Sequence, residues 1–160
     1  MLQDVTATNL PSLPCVWVLQ GPNLNLLGHR EPELYGTTTL AELHHQLEAL
    51  ATQAPHPVAL RCLQTNHEGH LLEWIHEART QSQGLILNPA GYTHTSVALR
   101  DALAAYPHPA IEVHISNLAQ REDFRQHSMV SAVVKGTIAG LGVQGYHAAL
   151  FTLKQWLAQP

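Results

Sequence analysis

Short apolar runs alternate along this chain with segments of helical periodicity, and that alternation restricts its possible folds more than any other feature. Val16-Trp17-Val18-Leu19, Val58 to Leu63, Gly84 to Leu87 and Ile111 to Ile115 are runs of strand length, and a weaker one covers Val133 to Ile138. They are almost continuously apolar, as in strands buried on both faces, whereas a half-exposed strand alternates. Between them the period changes to that of a helix. Leu40, Leu43, Leu47 and Leu50 repeat at helical spacing behind Thr39-x-x-Glu42, a capping-box pattern. Leu71, Leu72, Ile75 and Ala78 mark a second helix, Val97 to Ala105 a third, and Val143, Tyr146, Leu150, Leu153 and Leu157 a last one.

Five such strand–helix units predict a parallel sheet with helices on both faces. Right-handed crossovers then select a three-layer, doubly wound, five-stranded α/β fold of flavodoxin-like order. With no repeat or linker, one domain is expected over residues 15–160. Residues 1–14, which carry Pro11 and Pro14 and lack the pattern of a signal peptide, are expected to be an extension.

A net charge of −4 with dispersed basic residues offers no footprint for nucleic acid. No apolar run approaches the ~18 residues that cross a membrane. Two cysteines, both in strand-like runs, favour the cytoplasm over a secreted disulfide scaffold. The 12 histidines are scattered without HExxH or CxxC spacing, so no metal site is expected.

Open parallel sheets bind ligands beyond the carboxyl ends of their strands, and polar residues there carry extra weight. The first strand is followed by GPNLNLLGHREPELYG, a long loop holding Asn23, Arg30 and Tyr35; the third by NPAGYTHTS, with Asn88 and His94. The fourth ends in EVHISN, where Glu112, His114 and Ser116 share one face of the strand. A carboxylate two residues before an imidazole suits a general acid, although the same pair also serves packing alone. Arg121 and Arg125, four apart in REDFR, suit an anionic oxygenated ligand, or else a face neutralised by Glu122 and Asp123.

The segments GPNLNLLGHREPELYG, QTNHEGHLLEWIHEA, NPAGYTHTSVALRDA, EVHISNLAQREDFRQHS and GLGVQGY, in this order from about Val16 to about Leu150, closely resemble the motifs of the type II 3-dehydroquinate dehydratases. The resemblance implies a cofactor-free hydro-lyase acting on 3-dehydroquinate in aromatic biosynthesis or quinate breakdown, assembled as a dodecamer of trimers. It puts the essential base on Tyr35, a mobile-loop arginine on Arg30, and the general acid on His114, supported by Glu112 and Asn23. Substrate contacts fall on Asn88, His94, Ile115, Ser116 and Arg125, with Arg121 in the same segment. Asp101 falls where the family reaches into a neighbouring subunit's site. Two departures stand out. Gln20 replaces the Asn or His common before Gly21, and the family's NPGAYTHTS reads NPAGYTHTS, with Ala90 and Gly91 exchanged.

The implied chemistry is a proton abstraction beside a ketone, followed by loss of hydroxide as water. A free phenol ionises near pH ~10, so a tyrosine base needs a cation beside it, and Arg30 shares its loop. Asn23 is a candidate donor to the enolate oxygen. Two rivals remain on the same scaffold. A flavin- or nucleotide-binding module would want a Ser/Thr/Gly-rich phosphate loop where this chain has Pro22, Leu24, Leu26 and Leu27. A non-catalytic assembly protein would have no use for Tyr35, Arg30, His114 and Glu112 together.

Overall fold

A computed structural model describes residues 12–159. Its strands are β1 (Cys15–Gln20), β2 (Ala59–Gln64), β3 (Gly84–Asn88), β4 (Ala110–His114) and β5 (Gly136–Ala139). All pair in parallel, in the order β2-β1-β3-β4-β5. That is the flavodoxin-like order expected from the alternation of runs. The longer helices are α2 (Leu40–Thr52), α3 (Glu68–Gln81), α4 (Val97–Ala104) and α5 (Gln144–Leu157), and a short α1 (Pro32–Tyr35) lies in the loop after β1.

Alternation along the buried strands divides the core into two layers. Val16, Val18, Ile86, Ile111 and Val113 pack against Leu43 and Leu47 of α2 and Tyr146, Leu150 and Leu153 of α5. Trp17, Leu19, Leu85 and Leu87 face the other way, onto Leu71 and Ile75 of α3 and Leu99 and Leu103 of α4. Each such fully buried side chain contributes roughly 1.5–3 kcal/mol of transfer free energy. The capping box at α2 forms as expected: the Thr39 hydroxyl accepts from the Glu42 amide at 3.2 Å, and the Glu42 carboxylate accepts from the Thr39 amide at 2.7 Å. The far end of α2 is held by the Lys154 ammonium, which donates to the carbonyls of Leu50 and Gln53.

Three expectations need adjustment. The loop after β1 is not wholly irregular, because Leu24–Leu26 forms a 3-10 turn and Pro32, with its preset φ, starts α1. The weak strand expected over Val133 to Ile138 begins only at Gly136. Upstream of it Ser131–Val133 makes a 3-10 turn, whose approach the Ser128 hydroxyl fixes by accepting from the amides of Val130 and Ser131. The extension expected at 1–14 lies, for residues 1–11, outside the described residues. Pro14 already belongs to the sheet region, its carbonyl accepting from Ala59 at 2.9 Å.

The carboxyl ends of β1 and β3 meet closely. The Gly21 amide donates to the Asn88 carbonyl at 2.8 Å. A Cβ at Gly21 would sit 2.5 Å from the Pro89 carbonyl oxygen, so only glycine fits. Immediately downstream, Ala90 has φ 52°, in the left-handed region that disfavours a side chain. A Cβ at Gly91, by contrast, would meet nothing within 4 Å. The exchanged Ala-Gly order therefore puts the side chain at the strained position and the glycine at the free one. The double substitution Ala90→Gly/Gly91→Ala should stabilise the fold by roughly 1–2 kcal/mol. A rise of a few degrees in Tm is the expected reading; an unchanged or lower Tm would contradict this account of the turn.

Candidate active site

The loops after β1, β3 and β4 enclose a cleft of about 130 Å³ at the carboxyl edge of the sheet. It lies where the chain switches from one side of β1 to the other, the usual ligand position in doubly wound sheets. Asn23, Arg30, Tyr35, Asn88, His94, His114, Ile115, Ser116, Arg121 and Arg125 all line it. Glu112 stands behind His114, fully buried. Asp101 is exposed on α4 and does not contribute to the cleft of its own chain.

At the wall formed by β4, the Glu112 carboxylate accepts from His114 Nε2 at 2.7 Å. This leaves His114 Nδ1 as the ring nitrogen available to the cleft. Burial raises the proton affinity of the Glu112 carboxyl. Hydrogen bonds from His114, Ser131 and Ser128 outweigh that effect and hold its pKa below the ordinary 4.5. Asn23 sits in a left-handed conformation (φ 67°), its amide donating to Asn66 Oδ1 at 2.9 Å. Among the described residues no hydrogen bond joins the Asn23 side chain to His114, so only Glu112 of the two expected supports touches the imidazole.

Across the cleft, Arg121 Nη1 donates to the Tyr35 hydroxyl at 3.0 Å and to the Ser116 hydroxyl at 2.9 Å. Arg30, the cation expected beside Tyr35, is instead paired with Glu31 at 3.0 Å, its guanidinium carbon 5.9 Å from the Tyr35 ring centre. The guanidinium that meets the phenol oxygen is thus Arg121, which sequence reasoning counted only among substrate contacts. Arg125 is held by Glu122 at 3.2 Å.

At the third wall, Asn88 is fixed at both ends of its carboxamide. Oδ1 accepts from the Ala90 amide at 3.0 Å and Nδ2 donates to the Tyr146 hydroxyl at 2.9 Å. Tyr146 is wholly buried, which pushes its phenol up to about 12 and makes it a support rather than a base. Gln20, also wholly buried, lies beside Tyr146 and bonds to His44 of α2. His94 Nδ1 bonds to the His127 carbonyl at 2.7 Å; since a carbonyl only accepts, Nδ1 carries the proton and Nε2 is left for a ligand. The residues that sequence reasoning missed are Tyr146, Ser128 and Ser131. Ordinary residues at unremarkable spacing, they carry no local signal.

Taken together, the cleft offers a phenol against a guanidinium, an imidazole backed by a buried carboxylate, and fixed amide, imidazole and arginine groups for an oxygen-rich anion. Comparison with known proteins agrees with that chemistry. Residues 14–154 match the family model described as dehydroquinase class II. The chain is 56% identical over 135 residues to 3-dehydroquinate dehydratase 2 of Pseudomonas aeruginosa, covering 84% of this chain and 90% of that one. It is 53% identical over 133 residues to the protein of the same name from Agrobacterium fabrum, covering 83% and 89%. The crystal structure of type II dehydroquinase from Propionibacterium acnes superposes with a TM-score of 0.86 at 44% identity, over 90% of this chain and 98% of that one.

The depressed Glu112 carboxyl has a consequence for stability. A group held below its unfolded pKa stabilises the fold above that value and loses the contribution as pH falls through the folded value. Glu112→Gln should therefore cost about 3 kcal/mol at neutral pH. The gap between wild type and variant should narrow as pH drops below 4.5. Urea unfolding at several pH values reads both; a gap that stays constant into acid would show that the charge of Glu112 is not what its partners stabilise.

Proposed function

This chain belongs to the class II dehydroquinase family, and we propose that its cleft carries out the anti elimination of water from 3-dehydroquinate to give 3-dehydroshikimate, with Tyr35 as base and His114 as acid. The observation that carries the assignment of roles is the Arg121–Tyr35 hydrogen bond in the same cleft as the Glu112–His114 pair. Arg121 thereby supplies, at the phenol oxygen itself, the cation that a tyrosine base requires beside it. Tyr35 takes the C2 proton, and the electron pair of that C–H bond moves onto the ketone oxygen as an enolate, with Asn23 as a donor to it. The enolate then collapses, the C1–O bond breaks, and His114 Nδ1 gives its proton to the departing hydroxyl. Glu112 stays anionic throughout and stabilises the imidazolium before transfer. Asn88, His94, Ile115, Ser116 and Arg125 bind the substrate's hydroxyl and carboxylate groups, and Arg30 closes the cleft over it.

The chain's only lysines are occupied elsewhere, Lys154 at the end of α2 and Lys135 against the Trp156 ring. Imine formation with the substrate ketone thus has no lysine in the cleft, which supports the enolate route over a covalent one.

Tyr35→Phe keeps the ring and loses the ionisable oxygen. It should lower kcat by at least about 100-fold while substrate affinity stays within about 3-fold. Arg121→Ala should lower kcat in the same way. Appearance of the conjugated enone in the ultraviolet follows turnover, and calorimetry follows binding. Near-normal kcat in Tyr35→Phe would refute the assignment of the base.

Asp101, exposed and outside its own cleft, is proposed to complete the cleft of a neighbouring subunit in a dodecamer of trimers. Tyr35→Phe and Asp101→Ala proteins, both impaired alone, should then regain activity beyond the sum of the two when co-refolded into mixed oligomers. Merely additive activity in verified mixtures would rule out a shared site.

A further inference from the structure

The carboxylate of Glu112 holds more partners than an orienting group for His114 requires. Its Oε1 accepts from His114 Nε2 at 2.7 Å and from the Ser128 hydroxyl at 2.8 Å. Its Oε2 accepts from the Ser131 hydroxyl in a short hydrogen bond and from the Thr137 hydroxyl at 3.3 Å. Four donors thus fill both oxygens of a carboxylate with 0% exposure. The direction of one of them is forced. The Ser128 oxygen already accepts from the amides of Val130 at 3.2 Å and Ser131 at 3.0 Å, which occupies both lone pairs and leaves its proton only for Glu112. Glu112 therefore faces a fixed O–H at the same oxygen that receives the imidazole N–H.

Both serines belong to a segment stitched to the cleft at several points. His127 supplies the carbonyl that orients His94, the Met129 amide donates to the Thr93 carbonyl at 2.8 Å, and Arg100 donates to the Met129 carbonyl at 2.8 Å. Ser128 shapes this segment as well as touching Glu112. The Ser131 hydroxyl has only Glu112 as its partner among the described residues.

We propose that Ser131 and Ser128 are positioning residues for the elimination, which by donating to both oxygens of Glu112 fix the rotation of that carboxylate and hence aim His114 Nδ1 at the leaving hydroxyl. The proposal rests on the reading of His114 as the general acid. Without the Ser131 hydroxyl, Oε2 keeps only the 3.3 Å donor Thr137, and the carboxylate is held less firmly against rotation, which loosens the aim of the imidazole. Transition-state protonation suffers, while the groups that bind the substrate stay in place.

A double-mutant cycle tests this. Ser131→Ala should lower kcat roughly 10- to 100-fold, part of the ~10²–10⁴ that a positioned acid supplies. KM should stay within about 3-fold, and Ser131→Thr, which restores a hydroxyl, should recover most of the loss. In a His114→Asn background the same Ser131→Ala change should alter the residual kcat by no more than about 2-fold, because the group it aims is gone. Equal losses in both backgrounds, or normal kcat in Ser131→Ala, would overturn the positioning role and leave the general acid untouched. A His114→Asn enzyme with normal kcat would instead overturn the acid reading, and this proposal with it. Ser128→Ala is read by the same cycle should Ser131→Ala not fold.

Discussion

A carboxylate buried without access to water must find its hydrogen bonds within the protein or take up a proton, and much of this site follows from how Glu112 meets that requirement. Its two oxygens draw an imidazole from β4 itself, two hydroxyls from the segment after Arg125, and one from β5. Each of these contacts is charge-assisted and stronger than its neutral counterpart. Satisfying the carboxylate therefore also fixes the strand end that bears His114 and tethers the segment whose backbone orients His94. The functional wall and the stabilising network are the same set of atoms.

Parallel pairing supplies the second constraint. All the strands finish at one edge, so every chain reversal after β1, β3 and β4 brings its polar residues to the same place. The approach of Gly21 to Pro89 sets the floor of the cleft between β1 and β3, and Asn88 is locked there by Ala90 and Tyr146. Gln20 extends this network through the core face to His44, whose imidazole burial keeps from protonating readily. The floor is thus held from behind by Gln20, His44 and Tyr146, none of which lines the cleft.

Two tyrosines near this edge show how environment separates roles within one residue type. Tyr146 is enclosed by core and hydrogen-bonded by an amide, so its phenol stays protonated and works as a fixed strut. Tyr35 lies half-buried at the mouth, open to the cleft, with the Arg121 guanidinium donating to its oxygen. The distinction depends on where the two chain segments end up and on what meets them there.

The sequence by itself determined the architecture, because the signals are local. Continuous apolar runs call for strands buried on both faces, helical spacing and Thr39-x-x-Glu42 call for α2, and the order of units then leaves one doubly wound arrangement. Glu112 and His114 were legible as a pair since a strand repeats every second residue. Tertiary structure alone decided which arginine hydrogen-bonds to Tyr35. Arg30 is near in sequence but turns to Glu31, whereas Arg121, 86 residues away, is carried to the phenol by the loop after β4. The serines on Glu112 were equally hidden, as hydroxyl side chains carry no periodic signal and the valines after Ser131 suggested a strand. It likewise revealed that the exchanged Ala90 occupies a left-handed position. Local periodicity reports which elements form, but a contact between distant loops depends on the path of the whole chain, which no short window of sequence contains.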